Sequence, residues 1–118
     1  MIGGRKLLPA LTMLMASQFA CEAQGIIVST VTTAELVGIC NRTNDPLNMD
    51  FCVGYILGAY DQMSLSRSIC PRGGGSGTAQ ALAVARKFLN EHPERWHLHP
   101  SFLLADVFRG TFPCTVAR

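Results

Sequence analysis

Cysteine is the residue that most constrains this chain of 118 residues, because it contains five and an odd number cannot all pair within one molecule. No two of them have the C-x-x-C spacing typical of zinc sites, and no C-x-x-C-H run is present to attach a c-type haem. One thiol is therefore removed, free or paired with another molecule. The five positions are Cys21, Cys40, Cys52, Cys70 and Cys114.

The first 23 residues have the organisation of an export signal, and one cysteine lies within them. Two basic residues stand near the N-terminus, residues 7–20 are mainly apolar, and small residues follow. The apolar run is shorter than the roughly 20 residues of a permanent transmembrane helix. We therefore predict a secretory signal peptide, residues 1–23, which is cleaved after Ala23 and takes Cys21 with it.

A second interpretation of the leader is a lipoprotein in which Cys21 is acylated. Gln18 lies three residues before this cysteine, where leucine is usual, so this interpretation is the weaker one. Under the preferred one, residues 24–118 form a single mature domain with four cysteines in an oxidising compartment. We expect no membrane contact once the leader is cleaved.

Four cysteines in an exported domain indicate two disulfides, and three pairings are possible. Spacing alone does not choose among them. We favour Cys40–Cys52 with Cys70–Cys114, which would close loops of about 13 and 45 residues and contribute roughly 3 and 4 kcal/mol in the chain-entropy model. Such contributions are comparable to the whole net stability of a small domain.

The composition favours a compact domain over a disordered or nucleic-acid-binding one. Hydrophobic residues make up 48% of the chain and charged residues only 15%, so the chain can bury a core. The formal net charge is +2, and the basic residues are too evenly spread to predict a surface that binds nucleic acid.

Apolar residues recur at helical spacing in four segments of the mature chain. The first predicted helix runs from a cap at Thr32 or Thr33 to Cys40, and Asp45-Pro46 is interpreted as part of the break that follows. The second predicted helix covers about residues 50–66, with Asp50 as its cap.

The third predicted helix begins near Ser76 or Thr78, and Pro93 ends it. The fourth begins at His99-Pro100, because proline in the first turn loses no hydrogen bond. Residues 26–31 are the one segment that could form a strand. The predicted fold class is therefore all-α, a small bundle of about four helices cross-linked by two disulfides.

Four residues are predicted to have structural roles. Gly54 and Gly58 are four apart on the second helix, a spacing that we interpret as close packing of a neighbouring helix. Asp61 lies beside the apolar stripe of that helix and is interpreted as an acid that anchors a loop or a helix end. No second carboxylate is spaced to act with it in acid–base catalysis. Pro93 is the helix terminator.

Three histidines close together raise the alternative of a zinc or copper site. A loop between helices does not hold ligands at fixed geometry, so we interpret His92, His97 and His99 as turn and cap residues. Oxidised cysteines would leave no thiolate nucleophile, and no G-x-S-x-G run supplies a serine. We expect no catalytic residue, no metal and no cofactor, and a protein that acts by binding rather than as an enzyme.

Several sequence motifs follow one another over nearly the whole mature chain. The most specific are the run C-V-G-Y-I-L-G-A-Y-D, which begins at Cys52, and H-P-E-R, which begins at His92. Ile69-Cys70-Pro71 lies between them, and Phe112-Pro113-Cys114 comes last. Taken in this order, from about residue 33 to 114, they resemble the Rap/Tai immunity proteins of type VI secretion systems.

The resemblance implies a periplasmic protein that binds and blocks a peptidoglycan amidase delivered by sister or rival cells. The amidase, and not this chain, would carry the Cys–His catalytic residues. The resemblance also implies a homodimer, since members of the family are often dimeric. The alternative is an exported helical binding or structural protein with an unrelated periplasmic partner.

A partner-binding surface is expected on the exposed connections between helices. The candidates are residues 72–75, which include Arg72, and residues 95–99, which include Arg95, Trp96 and His97. Trp96 is the only tryptophan, and tryptophan is enriched among interface hot spots. Its alternative role is a partly buried lid over the junction of the third and fourth helices, and Arg95 could equally be a solvated cation at a helix end.

Overall fold

The computed structural model describes residues 3–4, 28–73 and 77–115, and these form an all-α domain without a strand. The predicted leader, apart from two glycines, and its cleavage site lie outside the described residues. None of the described helices is long and apolar enough to cross a bilayer. The elements are α1 Thr33–Cys40, α2 Pro46–Leu65, α3 Gly77–Glu91, a short 3-10 helix Pro93–Arg95, and α4 Pro100–Thr111.

The start of α1 is fixed by a capping box. The Thr32 hydroxyl oxygen accepts a hydrogen bond from the backbone N–H of Glu35, and the Glu35 carboxylate accepts one from the backbone N–H of Thr32 at 2.8 Å. The backbone and hydroxyl hydrogen bonds from Thr32 lower the pKa of Glu35. At the other end of α1, the Arg86 guanidinium of α3 donates to the Cys40 carbonyl at 3.1 Å. These two contacts satisfy polar groups at both ends of a helix of only eight residues.

Helix α2 begins four residues before the predicted start. Asp45 is its N-cap, since the carboxylate accepts a hydrogen bond from the backbone N–H of Leu47 at 3.0 Å, and Pro46 takes the first helical position. The prediction that Asp45-Pro46 belongs to a break, with Asp50 as the cap, is therefore wrong. An Asp-Pro pair can start a helix because the acid caps it and the proline needs no N–H partner.

The remaining helices agree with the predictions. Helix α3 ends at Glu91, two residues before Pro93, which opens the 3-10 helix. Helix α4 starts at Pro100, and the Nδ1 atom of His99 accepts a hydrogen bond from the backbone N–H of Ser101 at 3.2 Å. The suggested strand is not found at residues 28–31, and its first two positions lie outside the described residues.

The core is formed by the inner faces of all four helices and by residues that follow α2 and α4. Its centre is Phe108 of α4, which is fully buried and packs edge-on against Tyr60 of α2. Twelve further hydrophobic residues have buried side chains in the same cluster: Leu36, Val37, Cys40, Cys52, Ile56, Ile69, Ala81, Ala85, Leu89, Leu103, Leu104 and Phe112.

The two disulfides have the favoured pairing, Cys40–Cys52 and Cys70–Cys114, which confirms the prediction. Their environments differ. The first joins the end of α1 to α2 inside the core, whereas both cysteines of the second are exposed. The second bond holds the end of the described chain beside the segment after α2, where the backbone N–H of Cys70 donates to the Phe112 carbonyl at 2.9 Å.

The outer face of α2 corrects another prediction. Gly54 and Gly58 are exposed, and among the described residues no atom lies within 4 Å of the position that a Cβ would take at either one. No neighbouring helix of the described domain packs closely against them. The interpretation of this spacing as close packing within the domain is therefore wrong.

A candidate partner-binding loop between α3 and α4

The connection between α3 and α4, residues 92–99, is called the histidine loop below. Its backbone is folded by its own hydrogen bonds: the N–H of Arg95 donates to the His92 carbonyl, that of Trp96 to Pro93, and that of Leu98 to Arg95, at 3.0 to 3.2 Å. The proline starts the 3-10 helix because its fixed φ suits the first helical position. The loop is therefore a defined structure rather than an open connection.

Trp96 holds the loop onto the end of α3. Its indole N–H donates to the Leu89 carbonyl at 2.8 Å, and its ring is half-buried against the core. That carbonyl belongs to the last turn of α3, where helices lack internal partners. This position agrees with the alternative role given to Trp96, a partly buried lid over the junction of α3 and α4. A contribution of Trp96 to partner binding stays a prediction.

Arg95 holds the loop to both neighbouring helices. Its guanidinium donates to the Asp106 carboxylate of α4, and its central carbon lies 5.5 Å from the centre of the Phe88 ring of α3. A cation over an aromatic face is attracted by the ring quadrupole. Arg95 is thus a partly exposed, paired side chain at the end of the 3-10 helix, and its contribution to partner binding stays a prediction.

Two contacts from the N-terminal side of the domain complete the support of the loop. The Thr33 side chain is fully buried, and its hydroxyl donates to the Leu98 carbonyl at 2.6 Å. The Nε2–H of His99 donates to the Ser29 carbonyl at 2.9 Å, while its Nδ1 is the acceptor that caps α4. With Nδ1 as the acceptor, Nε2 is the donor of this ring. Sequence reasoning missed both contacts because they join residues 65 and 70 positions apart.

Two of the residues that the loop leaves exposed, Glu94 and His97, are polar. His97 is exposed, and its Nδ1 lies 3.1 Å from the Glu94 carbonyl, to which it donates. The Glu94 side chain lies 2.8 Å from the Nδ1 of His92. The hydrogen bond from His92, followed by one from its own backbone N–H, lowers the pKa of Glu94. Glu94 therefore presents an exposed carboxylate, paired with His92, at neutral pH.

The three histidines do not converge on one point. Each has a separate partner, and the described part of the chain contains no group of three His, Cys, Asp or Glu residues placed to hold a metal ion. What lies beside the loop is a shallow pocket of about 370 Å³, lined by residues 29–33 and 96–99. A pocket of this shape and lining can receive a protruding side chain of a protein partner.

The second candidate loop is far from the first. Arg72 and Gly73 line a pocket of about 400 Å³ together with Thr111 and Phe112, at the end of α4, whereas the histidine loop precedes its start. Twelve helical residues separate the two ends by about 18 Å. Residues 74–76 of this loop lie outside the described residues. The structure therefore does not combine the two predicted loops into one surface.

Two other features bear on a binding surface. A shallow groove of about 480 Å³ on the outer side of α1 was not foreseen, and it is lined by Val31, Ala34, Glu35, Gly38, Ile39 and Arg42. Asp61 of α2 is exposed and forms no hydrogen bond with the described residues, so its anchoring role stays a prediction.

Comparisons with known proteins place this structure in a family. The chain matches no curated protein and no solved structure. The sequence model of the family described as Rap1a immunity proteins, however, matches residues 32–114. This range includes all four helices, both disulfides and the histidine loop. Since the match extends over more than half of the chain, the protein belongs to the Rap1a immunity protein family.

Proposed function

We propose that this protein is a periplasmic immunity protein that binds and inhibits a peptidoglycan amidase delivered by a type VI secretion system. The observation that carries the proposal is the family match over residues 32–114, since an immunity protein acts on a secreted effector. The choice of an amidase rests on the resemblance of the C-x-G-Y-x-x-G-x-x-D and H-P-E-R runs to Rap/Tai proteins. Inhibition would protect the cell wall of the producing cell.

The described residues support inhibition by binding rather than by chemistry. Cys40, Cys52, Cys70 and Cys114 are all oxidised, so none of them supplies a thiolate. Both disulfides support a location in an oxidising compartment, which fits cleavage of the leader after Ala23 and release into the periplasm.

The histidine loop is our proposed inhibitory surface. A loop that is ordered before binding loses little conformational entropy when it binds. Trp96, Arg95 and Thr33 hold its backbone from three helices, while His97 and Glu94 remain exposed for the partner. An exposed imidazole and an exposed carboxylate can both contact polar groups in a substrate groove. Arg72 at the far end of α4 would be a peripheral contact at most.

Hydrolysis of peptidoglycan fragments by an amidase encoded beside this protein tests the proposal. We expect inhibition at a near-equimolar ratio of the immunity protein. Activity that is unchanged at excess immunity protein would refute an amidase as the partner and favour the alternative, an exported binding protein with an unrelated partner. Mass spectrometry of the exported protein tests the leader, since the chain should begin at Gln24.

Point variants test the surface. Because His97 is exposed and outside the core, we expect His97→Ala to leave the melting temperature unchanged and to weaken inhibition at least fivefold, about 1 kcal/mol. Arg109→Ala is the matched control, since Arg109 is an exposed cation near the other end of α4. Equal inhibition constants for the two variants would exclude the histidine loop as the inhibitory surface.

A further inference from the structure

An exposed phenylalanine lies directly beside the histidine loop. Phe102 is the third residue of α4 and is 48% exposed, whereas the next two residues, Leu103 and Leu104, are fully buried. Phe102 is not among the described residues that pack against the core. Stabilisation by an apolar side chain follows the area that it removes from water, so this ring contributes only part of what a buried phenylalanine would.

The ring of Phe102 has a defined position on the surface. The His99 ring packs edge-on against it, with the two ring centres 6.4 Å apart and the planes at 82°. His99 is itself held at both ring nitrogens, by the backbone N–H of Ser101 and by the Ser29 carbonyl. A side chain that is ordered before binding loses less conformational entropy when a partner covers it.

Polar groups flank this ring along α4 and toward the loop. Asp106 lies four residues after Phe102 on the same exposed face of α4, and its carboxylate pairs with Arg95 of the loop. Three residues before Phe102, His99 lines the pocket of about 370 Å³ to which His97 also contributes. An apolar centre with a polar rim is the usual organisation of a protein–protein interface.

The histidine loop by itself lacks an apolar centre. Five large hydrophobic side chains are exposed in the described part of the chain, and none of them belongs to residues 92–99. Three lie on α2, at Leu47, Phe51 and Leu65, and the other two are Val28 and Phe102. These last two border the loop, because Phe102 packs on His99 and Val28 precedes Ser29, which accepts a hydrogen bond from His99.

We propose that Phe102 is the apolar anchor of the surface that binds the secreted effector. Its ring would enter an apolar pocket of the effector, while His97 and the Arg95–Asp106 pair contact polar groups around that pocket. The partner is the effector, because Phe102 is continuous through His99 with the loop that we propose as the inhibitory surface. The inference rests on the proposed function and deepens it, since it adds the first turn of α4 to the histidine loop.

Calorimetric titration of the disulfide-bonded protein with the amidase encoded beside it tests the anchor. We expect Phe102→Ala to raise the dissociation constant by about tenfold or more, because aromatic anchors at the centre of an interface carry much of its affinity. Phe51→Ala is the matched control, since Phe51 is 43% exposed and its ring neighbours Tyr55 of the same helix instead of the loop. We expect the dissociation constant of this control to stay within about twofold of that of the parent protein.

Photocross-linking tests the same contact without removing the aromatic ring. Replacement of Phe102 by p-benzoylphenylalanine should give a covalent adduct with the amidase, and the same replacement of Phe51 should not. Absence of binding by the parent protein would refute the proposed function and the anchor with it. Binding with equal dissociation constants for Phe102→Ala and Phe51→Ala would overturn the anchor alone. An adduct at position 102 between two copies of this chain, and none with the amidase, would also overturn it and assign the ring to self-association.

Discussion

The hydrogen bond from Thr33 to Leu98 gives the sharpest test of how α1 supports the histidine loop. Thr33 is the one fully buried polar side chain of the described core, and its hydroxyl donates to the Leu98 carbonyl at 2.6 Å. Thr33→Val keeps the β-branched shape, so neither a cavity nor a change of helix propensity contributes. The effect should come from the lost hydrogen bond, which leaves the Leu98 carbonyl without its donor.

The expected cost is the balance of two opposing contributions, the carbonyl left without its donor and the methyl group that replaces the hydroxyl. Loss of the hydroxyl leaves the partly buried Leu98 carbonyl without its donor, which costs about 1–3 kcal/mol, toward the low end because the site is partly exposed. Burial of the added methyl group returns about 0.8 kcal/mol. We therefore expect Thr33→Val to lower the free energy of unfolding by about 1 kcal/mol and the melting temperature by roughly 4–8 °C. Inhibition by the loop should weaken as well, since one of its supports is lost.

Urea unfolding of Thr33→Val beside Thr111→Val measures this cost. The Thr111 hydroxyl donates to the Val107 carbonyl four residues earlier in the same helix, so its removal leaves that carbonyl with its helical partner. We expect the control within about 0.5 kcal/mol of the parent protein. Equal free energies of unfolding for the two variants would refute the reasoning and show that Leu98 regains a partner, such as water.

Three further predictions concern disulfides, glycine and pH. Mild reduction and alkylation, followed by mass spectrometry, should open the exposed Cys70–Cys114 bond well before the buried Cys40–Cys52 bond; simultaneous opening would contradict the difference in burial. Gly38→Ala should raise the free energy of unfolding, measured by urea titration, by about 0.5–1 kcal/mol, because nothing occupies the position that its Cβ would take. Gly77→Ala should raise it less, because the new Cβ would lie 2.9 Å from the hydroxyl of Tyr60. The Thr32 hydrogen bonds lower the pKa of Glu35 in the folded state. The stabilising contribution of Glu35 is therefore complete above its pKa in the unfolded chain, and it is lost as pH falls through its pKa in the folded protein. The free energy of unfolding from about pH 5 to 3 should depend on pH less steeply in Glu35→Gln, and parallel curves for the two proteins would contradict this.

Local rules predicted most of the helices and failed at one start. The pair His99-Pro100 predicts a helix start, and α4 begins there. The similar pair Asp45-Pro46 resembles a break in the sequence, although an acid followed by proline is also an N-cap followed by a first helical residue. Proline alone does not distinguish the end of one helix from the start of the next.

The candidate site was predictable in position but not in its supports. The sequence places Arg95, Trp96 and His97 in one connection, and the structure confirms that location. It does not reveal that Asp106 pairs with Arg95 or that the carbonyl of Leu89 accepts from the indole, because tertiary packing brings these groups together. The role of Gly54-x-x-x-Gly58 was misassigned for a related reason, since spacing identifies a face of a helix but not what covers it.

The order of the disulfides along the chain has a consequence for folding. Of the four cysteines in the two bonds, the first pairs with the second and the third with the fourth: Cys40 with Cys52, and Cys70 with Cys114. Under the proposed export, a chain that emerges N-terminus first leaves Cys21 in its leader and exposes both cysteines of the first pair before the third cysteine of the mature domain appears. Oxidation in order of emergence therefore yields the native pairing directly. Oxidation in that order would require a thiol oxidant but no isomerase to exchange mispaired bonds.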